Sequence, residues 1–319
     1  MNNKNSSDKI PLIILAGPTA VGKTAVALEL ARLLQTDIIS ADSAQVYRGL
    51  DIGTAKPTLE EQEIVRHHLI DLVNPDQNYS AADYQKDADQ VIMHMWKQGK
   101  IPLMVGGTGL YIKAVTDRFA FGEKGANQKL RNDFIRQCEQ EGQEQLYEKL
   151  QRVDPVAAAK IHPNDRKRII RALEVYALEG KPISAQVSKT KSVNSPYHLL
   201  YHGLTMEREQ LYKRIERRVE LMLAAGLLDE AKKLFETGYS RDSPGLQILG
   251  YRQLTEHLAG NISLDNAIAE IKKQTRNLAK RQLTWFRREE AIEWHIINNQ
   301  LTFSDIAENI YSRVKEMST

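Results

Sequence analysis

The chain is poor in cysteine, in long apolar runs and in net charge. One cysteine, Cys138, stands among 319 residues. That excludes an internal disulfide framework and a cysteine-rich zinc site, and it suits a reducing compartment. No apolar run approaches the roughly 20 residues needed to cross a bilayer. Residues 1–9 are polar and lack the apolar segment of a signal peptide. We therefore expect a cytoplasmic chain with no membrane role and a short frayed N-terminus. The formal net charge is only +3, so any nucleic-acid surface must come from local clustering. Internal repeats and low-complexity tracts are also missing. What remains, 42% apolar and 27% charged, is an ordinary globular composition with enough chain for a sizeable core.

Apolar runs alternate with helical periodicity through the first hundred residues. Residues 11–16 are almost continuously apolar, which suits a strand buried on both faces. Residues 25–34 carry apolar side chains at helical spacing. A second run, Ile38-Ile39, ends at Ser40-Ala41-Asp42-Ser43, and a third, 69–73, ends at Asn74-Pro75. Ser80 with Asp83 three residues on reads as a capping box, and Gly99 ends that helix. Residues 101–105 form another strand, closing on Gly106-Gly107-Thr108-Gly109. This alternation predicts the α/β class, a P-loop parallel sheet flanked by helices. From 119 to 196 the strand-like runs stop, while Leu130, Phe134 and Cys138 recur every four residues. We read that stretch as an all-helical insertion domain. Residues 197–204 and 292–297 resume the strand pattern. The core is thus expected in two pieces, 1–118 and 197–319, the second ending in basic helices.

Between the first strand and first helix lies Gly17-Pro18-Thr19-Ala20-Val21-Gly22-Lys23-Thr24, which fits the phosphate-cradling pattern G-x-x-x-x-G-K-[ST]. The glycines let backbone N–H groups approach phosphate oxygens, and the helix N-terminus favours negative charge. Lys23 would neutralise a phosphate, and the Thr24 hydroxyl suits Mg²⁺. The loop alone does not name the owner of the phosphates. The nearest acid at a strand end is Asp42, which could be a metal ligand, a general base, or a helix cap or turn residue. Gly106, Gly107 and Gly109 at another strand end would let a second backbone approach the same pocket, or make a plain strand-to-helix turn.

Basic residues cluster three times. The stretch 272–288 holds Lys272, Lys273, Arg276, Lys280, Arg281, Arg287 and Arg288 and no acid. Lys273, Arg276, Lys280 and Arg287 share one helical face, with Gln282 and Trp285 on another. Arg166, Lys167, Arg168 and Arg171 lie in the helical stretch, and Arg214, Arg217 and Arg218 on a helix with an apolar face of Leu211, Ile215, Val219 and Met222. The acid-free stretch reads as a phosphate-backbone footprint, while each of the two shorter clusters alone reads as a solvated face. Together with a phosphate pocket they favour a polyanion larger than a nucleotide. Cys138 reads as a core residue, His67 and His68 as structural, and Trp96 as a packing residue.

Several stretches, in order, resemble one family. "GPTAVGKT", "ISADSAQVYRGLDIGTAKP" from 39, "YSAADY" from 79, "VGGTGLYIKA" from 105, "VDPVAAAKIHPND" from 153, "RIIRALEVY" from 168, "ILGYRQ" from 248 and "LAKRQLTWFRR" from 278 look like the bacterial tRNA dimethylallyltransferases. The resemblance implies transfer of a dimethylallyl group from its diphosphate to N6 of the adenosine 3′ of the anticodon, with Mg²⁺ as cofactor. It implies Asp42 as general base, Gly17 to Thr24 holding the diphosphate, Thr19 and Arg217 as further diphosphate contacts, and Thr108 beside the target base. It places Asp42, Ser43, Ala44 and Gln45 toward tRNA, with Lys167, Arg168, Ile169, Ile170 and Arg171, and with Arg131. It does the same for Gln247, Ile248, Leu249, Gly250, Tyr251 and Arg252, and for Lys280, Arg281, Gln282, Trp285 and Arg287. Position 247 is Gln, where the family can carry an arginine. The expected partners are the tRNA anticodon stem-loop and dimethylallyl diphosphate, with the protein a monomer. The residues alone also allow a P-loop kinase, an adenine-nucleotide prenyltransferase, or an RNA-binding ATPase module without catalysis.

Overall fold

The structure, a computed structural model, describes residues 9–119, 121, 127–185, 195–298 and 301–316. The polar start of the chain lies outside them except for Lys9. The chain divides into two compact units, Met1–Thr116 with Pro196–Thr319, and Asp117–Ser195.

The larger unit is built on six parallel strands in the order β3-β2-β4-β1-β5-β6. These are β1 (Ile10–Ala16), β2 (Ile38–Ala41), β3 (His67–His68), β4 (Leu103–Gly106), β5 (Tyr197–Met206) and β6 (Glu293–Ile297). The α/β class expected from the alternating runs is the one found. Both faces are covered. On one face Leu12, Ile14, Ile39 and Met104 meet α3 (Ala81–Lys97) and α4 (Gly109–Thr116). On the other, Ile13, Leu15 and Leu204 meet α1 (Lys23–Leu34), α9 (Arg208–Ala224) and α13 (Phe303–Glu316). Two-sided burial is why the strands read as continuous rather than alternating apolar runs. Ser80 caps α3 with Asp83 as its reciprocal partner, and Gly99, at φ 75, follows the helix end.

The third strand departs from expectation. Residues 69–73 make no strand, because Leu69 (φ 63) and Asp71 (φ 54) leave the extended region. The pairing falls instead on His67–His68, with a single bridge from Val73 to Tyr47. Trp96 is corrected too: it is exposed, not packed.

Among its described residues the smaller unit holds only helices, α5 (Gln128–Glu141), α6 (Gln143–Val153), α7 (Pro155–Ala158) and α8 (Arg166–Glu179), around Phe134, Cys138, Leu146, Leu150 and Ile169. The larger unit also carries α2 (Leu59–Ile64), α10 (Leu227–Glu236), α11 (Tyr251–Leu258) and α12 (Leu264–Phe286). Among the described residues, no helix is long and apolar enough to cross a membrane.

A candidate active site at the carboxyl edge of the sheet

Strand register brings three loops to one edge. Ala16 of β1 and Ala41 of β2 both pair with Gly106 of β4. The phosphate loop, Asp42 and Gly107 therefore leave the sheet side by side, where open α/β sheets bind ligands.

The loop has the conformation its glycines require. Gly22 sits at φ 112, and a Cβ there would lie 2.6 Å from the Phe303 ring of α13. Lys23 Nζ donates to Gly17 O (2.9 Å) and Pro18 O (2.8 Å). Burial is the main influence on this ammonium and lowers its pKa to about 8, against the opposing pull of Asp42; Arg218 lowers it further. Arg214 Nε donates to Ala20 O at 3.0 Å, and Arg218 Nη1 reaches Thr19 Oγ1 at 3.5 Å.

The structure thus turns Arg218, not Arg217, onto the loop. The Arg217 side chain is 71% exposed and faces Glu220 at 3.8 Å. Helix geometry explains the difference. Arg214 and Arg218 are four apart and flank the buried stripe Leu211, Ile215 and Val219, whereas Arg217 falls on the outer side. Arg217 and Arg218 both line the cleft described below.

Asp42 is held by its own turn and by β4. Its Oδ1 accepts from Ala44 N (2.9 Å). Thr108 N donates to Ala41 O (3.1 Å), and Thr108 Oγ1 accepts from Ser43 N (2.9 Å) and donates to Ser43 Oγ (3.2 Å). Gln45 accepts from Ser40 Oγ and donates to Ala55 O at 3.1 Å. Further along, the Glu230 carboxylate accepts from the backbone N–H groups of Asp51, Ile52 and Gly53, while the Tyr251 hydroxyl donates to it at 2.5 Å. Buried Lys56 donates to Tyr47 O and to the carboxylates of Asp51 and Asp71. The Glu230 and Tyr251 anchors were not legible in the sequence, because they lie more than 170 residues from the backbone they hold.

The glycines after β4 are needed for space. A Cβ on Gly106 would meet Ala41 O at 2.1 Å, one on Gly107 the Gln282 amide at 2.3 Å, and one on Gly109 the Trp285 ring at 2.2 Å. What approaches them is therefore β2 and the α12 side chains. Gln282 ties the edge together: its Oε1 accepts from Thr19 N (2.8 Å) and its Nε2 donates to Gly107 O (3.0 Å).

Thr19, Lys23, Thr24, Asp42, Gln45, Arg214, Arg217, Arg218 and Gln282 line one cleft of about 1310 Å³. Thr24 is exposed, and with Asp42 it lines both this cleft and a smaller one. A hydroxyl and a carboxylate are suitable oxygen donors for Mg²⁺, which binds through few protein ligands plus substrate phosphates.

Other expected residues lie elsewhere. The side chains of Ile169, Ile170 and Tyr251 are buried in their cores. Arg131 and Arg171 both donate to the buried Glu174 carboxylate at 3.0 Å and hold it below the ordinary carboxylate range despite burial. Arg168 pairs with Asp165, and Lys167 is exposed. Gln247, which donates to Arg241 O, and Arg252 are exposed, while Ile248 and Leu249 are half-buried beside buried Gly250. In α12, Lys272 pairs with Glu220, Lys273 with Glu270 and Arg276 with Glu216. Lys280, Arg281, Arg287 and Arg288 are exposed, with no ion pair among the described residues.

The family model for IPP transferases matches residues 45–289. The chain is 49% identical over 283 residues to the tRNA dimethylallyltransferase of Carboxydothermus hydrogenoformans, covering 89% of this chain and 91% of that one. The chain belongs to the tRNA dimethylallyltransferase family. The Moorella thermoacetica member is 48% identical over 90% of each chain. The crystal structure of the tRNA isopentenylpyrophosphate transferase of Bacillus halodurans shares 43% identity with a TM-score of 0.72, covering 97% of this chain and 98% of that one. A eukaryotic dimethylallyltransferase acting on tRNA shares 26% identity with a TM-score of 0.83, over 97% of this chain and 79% of that one. The family match begins after the phosphate loop, so the loop stands on its own motif and geometry.

Proposed function

We propose that the chain transfers a dimethylallyl group from dimethylallyl diphosphate to N6 of the adenosine 3′-adjacent to the anticodon in tRNA, releasing pyrophosphate. The observation that carries this reading is the meeting of Asp42 with Lys23, Thr24 and Arg218 in one cleft at the sheet edge. One carboxylate and a set of anion-binding groups are what the reaction needs.

Adenine N6 is a poor nucleophile because its lone pair is delocalised into the ring. In the proposed step N6 attacks C1 of the dimethylallyl group, the C1–O bond breaks, and the N6 proton passes to Asp42. A positioned base contributes typically about 10²–10⁴-fold. The leaving pyrophosphate gains charge as the bond breaks, and Lys23, Arg218 and the loop N–H groups stabilise it there. A phosphate oxygen would take over the Lys23 ammonium from Gly17 O and Pro18 O. Thr24 would hold Mg²⁺, which would supply further neutralisation of the diphosphate. The target base must leave its stack, at a cost of a few kcal/mol, and Thr108, fixed against Ser43, lies at the edge it would reach.

The test is a transfer assay with labelled dimethylallyl diphosphate, Mg²⁺ and unmodified tRNA, without ATP. Label should enter tRNA, and Asp42→Ala should lose turnover by about 10²-fold or more with little change in diphosphate affinity. No label in tRNA would sink the proposal; turnover within a few-fold in Asp42→Ala would make Asp42 structural.

A further inference from the structure

A second cluster of chemistry-bearing side chains lies away from the cleft, between β5, β6 and α13. In the parallel register His202 of β5 stands opposite Glu293 of β6. His295, two residues on, projects from the same face of the sheet as Glu293. His202 Nδ1 is 3.1 Å from His295 Nε2 and 3.8 Å from Glu293 Oε2. One donor atom from each residue lies within 4.8 Å of the others.

His202 is 3% exposed, and its Nδ1 faces His295 Nε2 at hydrogen-bonding distance. Two imidazoles pressed together share at most one proton between the facing nitrogens. A neutral imidazole keeps a lone pair that it can offer to a metal.

We propose that His202, Glu293 and His295 form a binding site for a divalent transition metal of the zinc type. Two imidazole nitrogens and one carboxylate oxygen are a recognised ligand set for Zn²⁺, with bonds of about 2.0–2.2 Å. Tetrahedral ligands at that range stand about 3.3 Å apart, and the observed 3.1 and 3.8 Å fall on either side of it. The carboxylate is already oriented: its other oxygen, Oε1, accepts from Arg313 Nη2 of α13 at 2.8 Å. Such outer partners fix ligand direction. The Arg313 charge opposes a cation, so the two imidazoles carry most of the affinity.

None of the three residues lines the cleft, and the role we assign is structural. The ion would join edge strand β6 to β5 and, through Glu293 and Arg313, to α13. At its other end α13 presents Phe303 to Gly22 of the phosphate loop. The site would steady the helix that backs the loop.

The experiment uses the full chain, stripped with a chelator and titrated with Zn²⁺ against a chromophoric zinc indicator. Wild type should bind one equivalent and melt at a higher temperature with Zn²⁺ present. His295→Ala and Glu293→Gln should each weaken zinc binding by about tenfold or more and lose the zinc-dependent increment in melting temperature. Both positions are partly exposed, so these variants are better tolerated than a change at His202. Asp42→Asn should keep the equivalent. The proposal is overturned if wild type binds no stoichiometric zinc, if both variants bind it as wild type does, or if Asp42→Asn abolishes it.

Discussion

Two groups of cations in the larger unit carry the same charge in opposite surroundings. Lys23 and Arg218 are half-buried and packed against the phosphate loop, within the field of the Asp42 charge. Lys280 and Arg281 stand in solvent on the C-terminal half of α12, and Arg287 and Arg288 just beyond its end. The first pair loses hydration on folding, which shows as lowered pKa values for both groups. Cations held this way are aimed at one spot and suit a small, dense anion whose charge changes during a reaction. The exposed cations keep their water and interact weakly and over distance, as contacts to a polyanion backbone do. Solvation, more than charge count, separates the proposed chemical site from the proposed docking surface.

The largest effect should follow from removing the enclosed charge. Lys23→Ala should lower kcat/KM for transfer by about 10²–10³-fold, the scale of losing one pre-organised donor to developing charge. Loss below about tenfold in steady-state kinetics would mean that the loop N–H groups suffice. Arg218→Ala should come next, at about ten- to a hundred-fold on the same reasoning, and Arg217→Ala should cost far less. The reverse order would mean that binding of substrate redirects this helix face.

A pH titration sharpens the contrast. The Lys23 pKa lies near 8 in the fold, below the ordinary lysine value. Between those two values the unfolded chain holds the proton and the folded chain does not, so stability rises with pH across that window. Affinity for magnesium pyrophosphate should run the opposite way, level below pH 8 and weakening by up to about tenfold per unit above it as the ammonium is lost. Calorimetric titrations from pH 7 to 9.5 read this directly. A flat profile would show that Lys23 stays charged.

The enclosed group was partly readable before the fold was known. The buried parallel strand before the loop shows as an apolar run, and strand, loop and helix are contiguous. Asp42 follows a second apolar run for the same reason. Three features were not readable, each because a distant partner decides it. Gly107 and Gly109 are fixed by Gln282 and Trp285 of α12. Two of the seven cations in the acid-free run 272–288 are paired with Glu216 and Glu220, which α9 supplies from more than fifty residues away. Ile169 and Ile170 sit within a basic stretch, yet the core of their unit claims them. The misplaced third strand has a local cause: apolar content suggested extension, while Leu69 and Asp71 adopt positive φ.

The smallest effects test the division within α12 itself. Arg281→Ala should weaken tRNA binding a few-fold and reduce the slope of log affinity against log salt by about 1, the signature of one lost phosphate contact. Arg276→Ala removes a cation from the same helix, but one already paired with Glu216 at 2.6 Å. Its charge is locally cancelled, so the salt slope should not move. What it should lose is the pair itself, about 0.2–1 kcal/mol for a partly exposed bridge, seen as a small drop in the denaturation midpoint. If Arg276→Ala flattens the salt dependence as much as Arg281→Ala does, the Glu216 pair opens on binding, and the whole helix, not its second half, is the docking surface.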